Sequence, residues 1–198
     1  AKKVAKQLRY LYIDSGAMYR AVTWYFLRNE VEIQNSTEVQ NALENCHIQF
    51  HQDRISVNGT DVTESIRSMD VNNHVSAVSA LSIVREKLVL QQRGLSKQKG
   101  IVMDGRDIGT VVFPYADLKV FMTADLDTRV DRRYQELIDK GIEEDREIIK
   151  ENLITRDKVD SNRKDSPLKM AKDAVKMDTT NLSFQTQTEK IIQLAYAK

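Results

Sequence analysis

Net charge is what this sequence has least of: Lys+Arg 30 against Asp+Glu 29 leaves +1 over 198 residues, although 30% of them are charged. A nucleic-acid-binding domain carries a marked basic excess, so that class of partner is disfavoured. The single cysteine, Cys46, excludes an internal disulfide and fits a reducing cytosol. No neighbouring pattern offers it an activating base, so a nucleophilic role lacks support. With 2 prolines, no low-complexity tract and no internal repeat, the chain is neither linker-rich nor a solenoid. No apolar run approaches the length of a membrane span, and no signal-peptide pattern is visible. A cytoplasmic α/β domain with a small insert, without membrane partners, is the expectation, and the length suffices to bury a real core.

The informative stretch is Ile101-Val102-Met103-Asp104-Gly105-Arg106-Asp107-Ile108-Gly109-Thr110. Three apolar residues leading into an acid predict a buried parallel strand that ends at a polar site. Gly105 and Gly109 permit sharp turns and close approach. Between them stand a forked anion binder, Arg106, and a compact acceptor, Asp107. Two readings stand side by side: a turn closed by a local Arg–Asp pair, or an anion site at a strand end.

Taken in order, residues 1–8 place Val4 and Leu8 four apart among lysines, predicting an amphipathic helix without a start signal. Tyr10–Ile13 predicts a short strand ending at Asp14. Asp14-Ser15-Gly16-Ala17-Met18-Tyr19-Arg20 then opens a helix through Leu27, with Asp14 or Ser15 as its cap. Ser15 and Arg20 lie near that N-terminus, either facing solvent or serving an anion. Residues 30–40 read as a polar loop. Alternation over 47–62 with an Asn58-Gly59 turn predicts a small antiparallel sheet. His47 and His51 share one face of it, with no third metal ligand evident. Thr63–Arg67 reads as an N-capped helical turn, 70–78 and 81–92 as helices, and Leu118–Met122 as a strand. Helices follow over 126–140 and about 144–160, joined through Gly141 and rich in arginine: Arg129, Arg132 and Arg133 on the first, Arg156 and Asp160 leading to Arg163 on the second. Such a pair is either a salt-bridged surface or a hairpin that turns arginines inward. Ser166-Pro167 stops the second helix, Ala174–Met177 is a last strand ending in Asp178-Thr179-Thr180, and a helix over 184–197 closes the chain.

Repeated arginines without net basic charge point to a small phosphorylated ligand. Phosphoryl transfer needs positioning and charge stabilisation rather than a covalent nucleophile. No Ser-His-Asp or Cys-His arrangement competes.

Together, Asp14 to Arg20, Asp104 to Thr110, Arg156 to Arg163 and Asp173-Ala174-Val175-Lys176-Met177-Asp178-Thr179-Thr180 resemble bacterial cytidylate kinases, a family of P-loop nucleoside monophosphate kinases, in order and spacing along essentially the whole chain. The resemblance implies an α/β fold: a P-loop kinase-like parallel sheet flanked by helices, with a core over 1–36 and 86–198. It further implies an inserted antiparallel nucleoside-monophosphate-binding subdomain over about 37–85 and a helical lid over about 127–143. The implied reaction moves the ATP γ-phosphoryl group to CMP or dCMP with Mg²⁺, in a monomer. By the same resemblance Asp14, Ser15, Arg20, Arg106 and Arg156 surround the acceptor ribose and phosphate. Ser76, Arg85 and Asp107 read the cytosine, and Asp160 and Arg163 hold the pentose hydroxyls and the phosphate. Arg132 and Arg133 join Arg106 and Arg156 as the arginines that neutralise the transferring phosphates, and Asp104 is the implied metal partner.

The family opens with a strand and a G-x-x-x-x-G-K-[ST] loop that cradles ATP phosphates. No segment here has that form, so no ATP-binding residue is assigned. The natural polypeptide is therefore expected to begin earlier than Ala1. Taken literally, the chain would be a nucleotide-binding but inactive module; the other alternative is a different nucleoside monophosphate kinase.

Overall fold

The computed structural model describes residues 1–51, 54–95 and 100–198, except for the side chain of His51. It is an α/β fold in two units, one of residues 13–105 and one of residues 1–12 with 106–198.

In the 13–105 unit, the end of β1 (Leu11–Asp14) leads straight into α2 (Ser15–Arg28), following α1 (Lys2–Leu8) of the other unit. Asp14 caps α2, its Oδ1 accepting from the Ala17 amide at 2.9 Å. Ala17, Met18, Ala21, Val22 and Phe26 recur at helical spacing and are buried. The segment expected to be a loop instead contains α3 (Ser36–Glu44), capped by Asn35. Its apolar signal is only Val39, Ala42 and Leu43, but Val39 and Leu43 are four apart and both enter the core. The antiparallel sheet runs in the order β2 (Ile48–His51), β3 (Arg54–Val57), β4 (Thr60–Asp61). Asn58 and Gly59 take φ of 50° and 79°, the left-handed pair that a two-residue hairpin turn requires.

The helical turn after that sheet exists at Ser65–Arg67, but no side chain caps it. Thr63 is engaged elsewhere, its hydroxyl accepting from the Ile55 amide at 3.0 Å. Next come α4 (Met69–Ala80), α5 (Ser82–Leu95) and β5 (Ile101–Asp104), which neighbours β1 in a two-stranded sheet. Val22, Phe26, Leu43, Ile55, Val57, Ile66, Val84 and Leu88 belong to one buried cluster. Each such side chain stabilises the fold by about 1.5–3 kcal/mol. Cys46 lies in that cluster, and burial pushes its thiol up to about 11 against a weaker pull from the Lys87 ammonium. It stays a neutral hydrophobe at pH 7, as its lack of an activating neighbour implied.

In the other unit Val4 and Ala5 of α1 are buried, and α1 packs against α8 (Phe184–Tyr196). A wide turn over Ile108–Val112 precedes β6 (Val120–Thr123), α6 (Leu126–Ile138), α7 (Arg146–Asn162) and β7 (Val175–Asp178). β6 and β7 pair in parallel, Val120 opposite Val175 and Thr123 opposite Asp178. These strands are less buried than their apolar runs predict, with Met122 exposed and Met177 buried. A two-stranded pair covers less of each strand than a wide sheet does.

The α6–α7 hairpin turns at Gly141, whose φ of 71° favours glycine. Val130, Leu137 and Ile149 form its small core, with Leu126, Tyr134 and Leu153 packed against them. Ion pairs Arg129–Asp157 at 2.6 Å, Lys150–Asp127 at 3.3 Å and Arg146–Asp131 cross between the helices. α7 stops at Asn162, before Ser166-Pro167, because the chain folds back on itself: the Leu168 amide donates to the Asp160 carbonyl at 2.8 Å. Among the described residues, no helix is long and apolar enough to cross a membrane, and no group of three His, Cys, Asp or Glu side chains gathers for a metal. The His51 half of the histidine pair lies outside the described side chains.

Candidate active site

The end of β1, the start of α2 and the end of β5 place Asp14, Ser15, Arg20 and Asp104 together. Ser15 is buried, and its hydroxyl donates to the Asp104 carbonyl at 2.6 Å, which joins two strand ends 89 residues apart. Asp14 divides its carboxylate between the α2 cap and Arg20, whose Nη2 donates to Oδ2 at 2.9 Å. One of the helix's N-terminal amides, that of Ala17, is thus taken by the chain's own carboxylate. Arg20 Nε is buried without a hydrogen-bond partner. Gly16 admits this arrangement: a Cβ there would lie 3.1 Å from both Arg20 Nη1 and Asp14 Oδ1.

Ser76 on α4 and Arg85 on α5 lie nine residues apart, on either side of the corner between the two helices. Ser79 links them: its hydroxyl donates to the Ser76 carbonyl at 3.1 Å, and its own carbonyl accepts from Arg85 Nη1 at 3.2 Å. Arg85 is buried and sits 5.2 Å from the centre of the Tyr19 ring, a cation–π contact that helps a guanidinium leave water.

In the other unit the arginines gather on Asp160. Arg106 Nε donates to its Oδ2 at 2.8 Å, Arg163 Nη1 to its Oδ1 at 3.3 Å, and Arg156 Nε lies 4.0 Å from Oδ2. Arg106 therefore reaches a carboxylate 54 residues away and not the adjacent Asp107, so the local ion-paired turn is not what forms. The Asp160 side chain is 9% exposed, while those of Arg106 and Arg156 are 43% and 45% exposed. One carboxylate thus holds three guanidiniums, two of them half-exposed. Asp107 is buried, and its carbonyl anchors the wide turn by accepting from the Val111 amide at 2.8 Å.

The hairpin arginines are arranged differently. Arg132 donates to the Thr179 carbonyl at 2.6 Å, the Thr179 hydroxyl at 3.2 Å and the Leu182 carbonyl at 3.2 Å, with Phe184 under its guanidinium at 5.6 Å. Arg133 pairs with Glu136 at 2.8 Å on an accessible face. Sequence reasoning had no signal for the Thr179–Phe184 anchor, because it is fixed by tertiary contact alone. Tyr19, Ser79 and Lys119 were missed for the same reason, although Tyr19 lies inside the motif that carries Arg20.

Asp125 and Asp178 sit at the ends of the two parallel strands. Hydrogen bonds from the Thr128 amide, then the Thr128 hydroxyl, hold Asp125 below the usual carboxylate range, and the Thr180 amide and hydroxyl do the same for Asp178. The Lys119 ammonium lowers Asp173. A depressed folded pKa means that the unfolded chain takes up protons first as pH falls. Stability from these groups is complete above the unfolded value of about 4 and is lost as pH drops through the folded values. Chemical denaturation at pH 7, 5 and 3 is expected to give similar midpoints at the first two and a lower one at pH 3. Asp178→Asn should shrink that difference.

Comparison with known proteins follows the same lines. The model of the family described as Cytidylate kinase matches residues 1–197. A cytidylate kinase of Bacillus cereus (strain B4264) is 46% identical over 198 residues, spanning 98% of this chain and 88% of that protein. One of Streptococcus pneumoniae (strain 70585) is 47% identical over 196 residues, spanning 96% and 88%. One of Bacillus thuringiensis (strain Al Hakam) is 45% identical over 196 residues, spanning 97% and 87%.

Proposed function

The chain belongs to the cytidylate kinase family, and on that footing we propose that it transfers the γ-phosphoryl group of ATP to CMP or dCMP, releasing ADP and CDP or dCDP. The observation that carries the reading within this molecule is the convergence of Arg106, Arg156 and Arg163 on Asp160. Two polyanions must approach for an acceptor phosphate oxygen to attack the γ-phosphorus while the bond to the ADP oxygen breaks. Half-exposed guanidiniums held by a shared carboxylate supply that neutralisation without reorganising during the reaction.

Arg106 and Arg156 are assigned to the acceptor phosphate, with Asp14, Ser15 and Arg20 serving the same nucleotide. Ser76, Arg85 and Asp107 are assigned to the cytosine, and Asp160 and Arg163 to the pentose hydroxyls and the phosphate. Arg133 is assigned to the transferring phosphates. Arg132 shares that role if it exchanges its bonds to Thr179 and Leu182 for a phosphate. The functional divisions proposed are a core over 1–36 and 86–198, a nucleotide-binding insert over about 37–85 and a lid over about 127–143. A cytoplasmic monomer completes the reading.

A magnesium ion suits the residues present. Mg²⁺ takes one or two carboxylates together with substrate phosphates rather than an all-protein cage. Asp104 offers an exposed carboxylate at a strand end whose backbone is fixed by Ser15. When bound, the ion supplies charge neutralisation on the nucleotide phosphates. The test is a coupled assay of ADP formation by the full-length polypeptide with CMP, dCMP, UMP and AMP. Turnover is expected with CMP and dCMP; turnover confined to UMP or AMP, or none at all, would end the proposal.

A further inference from the structure

A buried lysine marks a position where charge has been taken out of water for a reason. The Lys119 side chain is 7% exposed, and its ammonium donates to both oxygens of Asp173, at 2.9 and 2.7 Å, and to the Pro114 carbonyl. Its stem lies along the wide turn: a Cβ on Gly109 would stand 3.2 Å from Lys119 Cδ and 3.4 Å from Cγ. Its carbonyl accepts from the Val175 amide at 2.9 Å, so its backbone begins the β6–β7 ladder. Lys119 thus touches the turn that follows Arg106 and Asp107, the end of that turn, the sheet, and the segment leading into β7.

We propose that Lys119 and Asp173 are positioning residues for the acceptor-phosphate site: their ion pair holds the 106–114 segment, with Arg106 and Asp107, in register against the 160–173 segment, with Asp160 and Arg163. The inference rests on the reading of the Arg106–Asp160 cluster given above. The two segments are tied at both ends, by Arg106 to Asp160 at 2.8 Å and by the Lys119 ammonium, which bonds both the Pro114 carbonyl and Asp173, the latter at 2.7 Å. Within the first segment the Asp107 carbonyl accepts from the Val111 amide, and the Ile108 carbonyl accepts from the Phe113 amide at 2.7 Å. In the second, the Leu168 amide returns to Asp160 and the Ala174 amide to Ala171. Pieces braced in this way shift as units, so a slip at Lys119–Asp173 is carried to the guanidinium of Arg106. A displacement near 1 Å is enough to cost roughly a hundredfold in a positioned reaction.

Asp173 is the better residue to alter, because its side chain is 64% exposed and a substitution there opens no core cavity. The experiment titrates CMP and ATP separately into full-length protein by calorimetry, with melting followed alongside. Asp173→Asn is expected to weaken CMP about tenfold, as a fraction of the loss that full misplacement brings, and to leave ATP affinity within about twofold. Asp173→Glu, which restores the carboxylate, should bring CMP affinity back most of the way. Unchanged CMP affinity in Asp173→Asn, or equal weakening of CMP and ATP together with a lowered melting point, would overturn the positioning role. Failure of the underlying reading would look different: the unsubstituted protein would bind no CMP.

Discussion

Arg106→Ala lowers kcat/KM for CMP by about a thousandfold, equivalent to roughly 4 kcal/mol of lost transition-state stabilisation, whereas Arg129→Ala stays within about threefold. The two arginines are chemically identical, and their settings separate them. Arg106 directs Nε to Asp160 at 2.8 Å, and its side chain keeps 43% of its surface open, which leaves the rest of the fork accessible to the proposed acceptor phosphate. A charge-assisted fork on phosphate is among the strongest polar contacts available to a side chain. Arg129 is committed across the α6–α7 hairpin to Asp157 at 2.6 Å. Losing that partly exposed pair removes about 0–1 kcal/mol of local stability and nothing from a reacting phosphate. Steady-state kinetics with CMP varied at saturating ATP measures the contrast. Equal and mild losses in both variants would contradict the assignment.

Asp160→Ala is expected to do two kinds of damage. Removing the partner from a buried, paired site costs about 3–5 kcal/mol, which for a chain of this length lowers the melting point by roughly 10 °C. Arg106, Arg156 and Arg163 then repel one another without the carboxylate that orders them, and kcat/KM for CMP falls by about a hundredfold. Extra positive charge alone would have strengthened phosphate binding, so a loss identifies orientation, not charge, as what Asp160 supplies. Asp160→Asn keeps the shape and one acceptor, and should recover most of the melting point but less of the activity. Thermal melts and kinetics on the same preparations separate the two effects.

How much of this was legible beforehand depended on whether the signal was local. The strand endings at Asp14, Asp104 and Asp178, the capped start of α2 and the Asn58-Gly59 hairpin are written in residues within a few positions of each other, and the structure has them. The convergence on Asp160 was half visible, since the spacing of Arg156, Asp160 and Arg163 placed them near one helical face. That Arg106 would choose Asp160 over its neighbour Asp107 is a tertiary fact. α3 was missed because its apolar face is small, with only Val39 and Leu43 fully buried and Ala42 packed beside them. The anchoring of Arg132 on Thr179 and Leu182, and of Lys119 on Asp173, joins segments about 50 residues apart, and periodicity does not report such pairings.

The central claim is that the arginines gathered on Asp160 hold the phosphate of the acceptor nucleotide. Calorimetric titration of CMP and of cytidine into the full-length protein and its Arg106→Ala variant tests it most directly, because the two ligands differ only in that phosphate. CMP should bind the unsubstituted protein at least about a hundredfold more tightly than cytidine, in keeping with charge-assisted bonds of about 1.5–3 kcal/mol each, and Arg106→Ala should erase most of that gap. Cytidine binding as tightly as CMP, or a gap untouched by Arg106→Ala, would contradict the account.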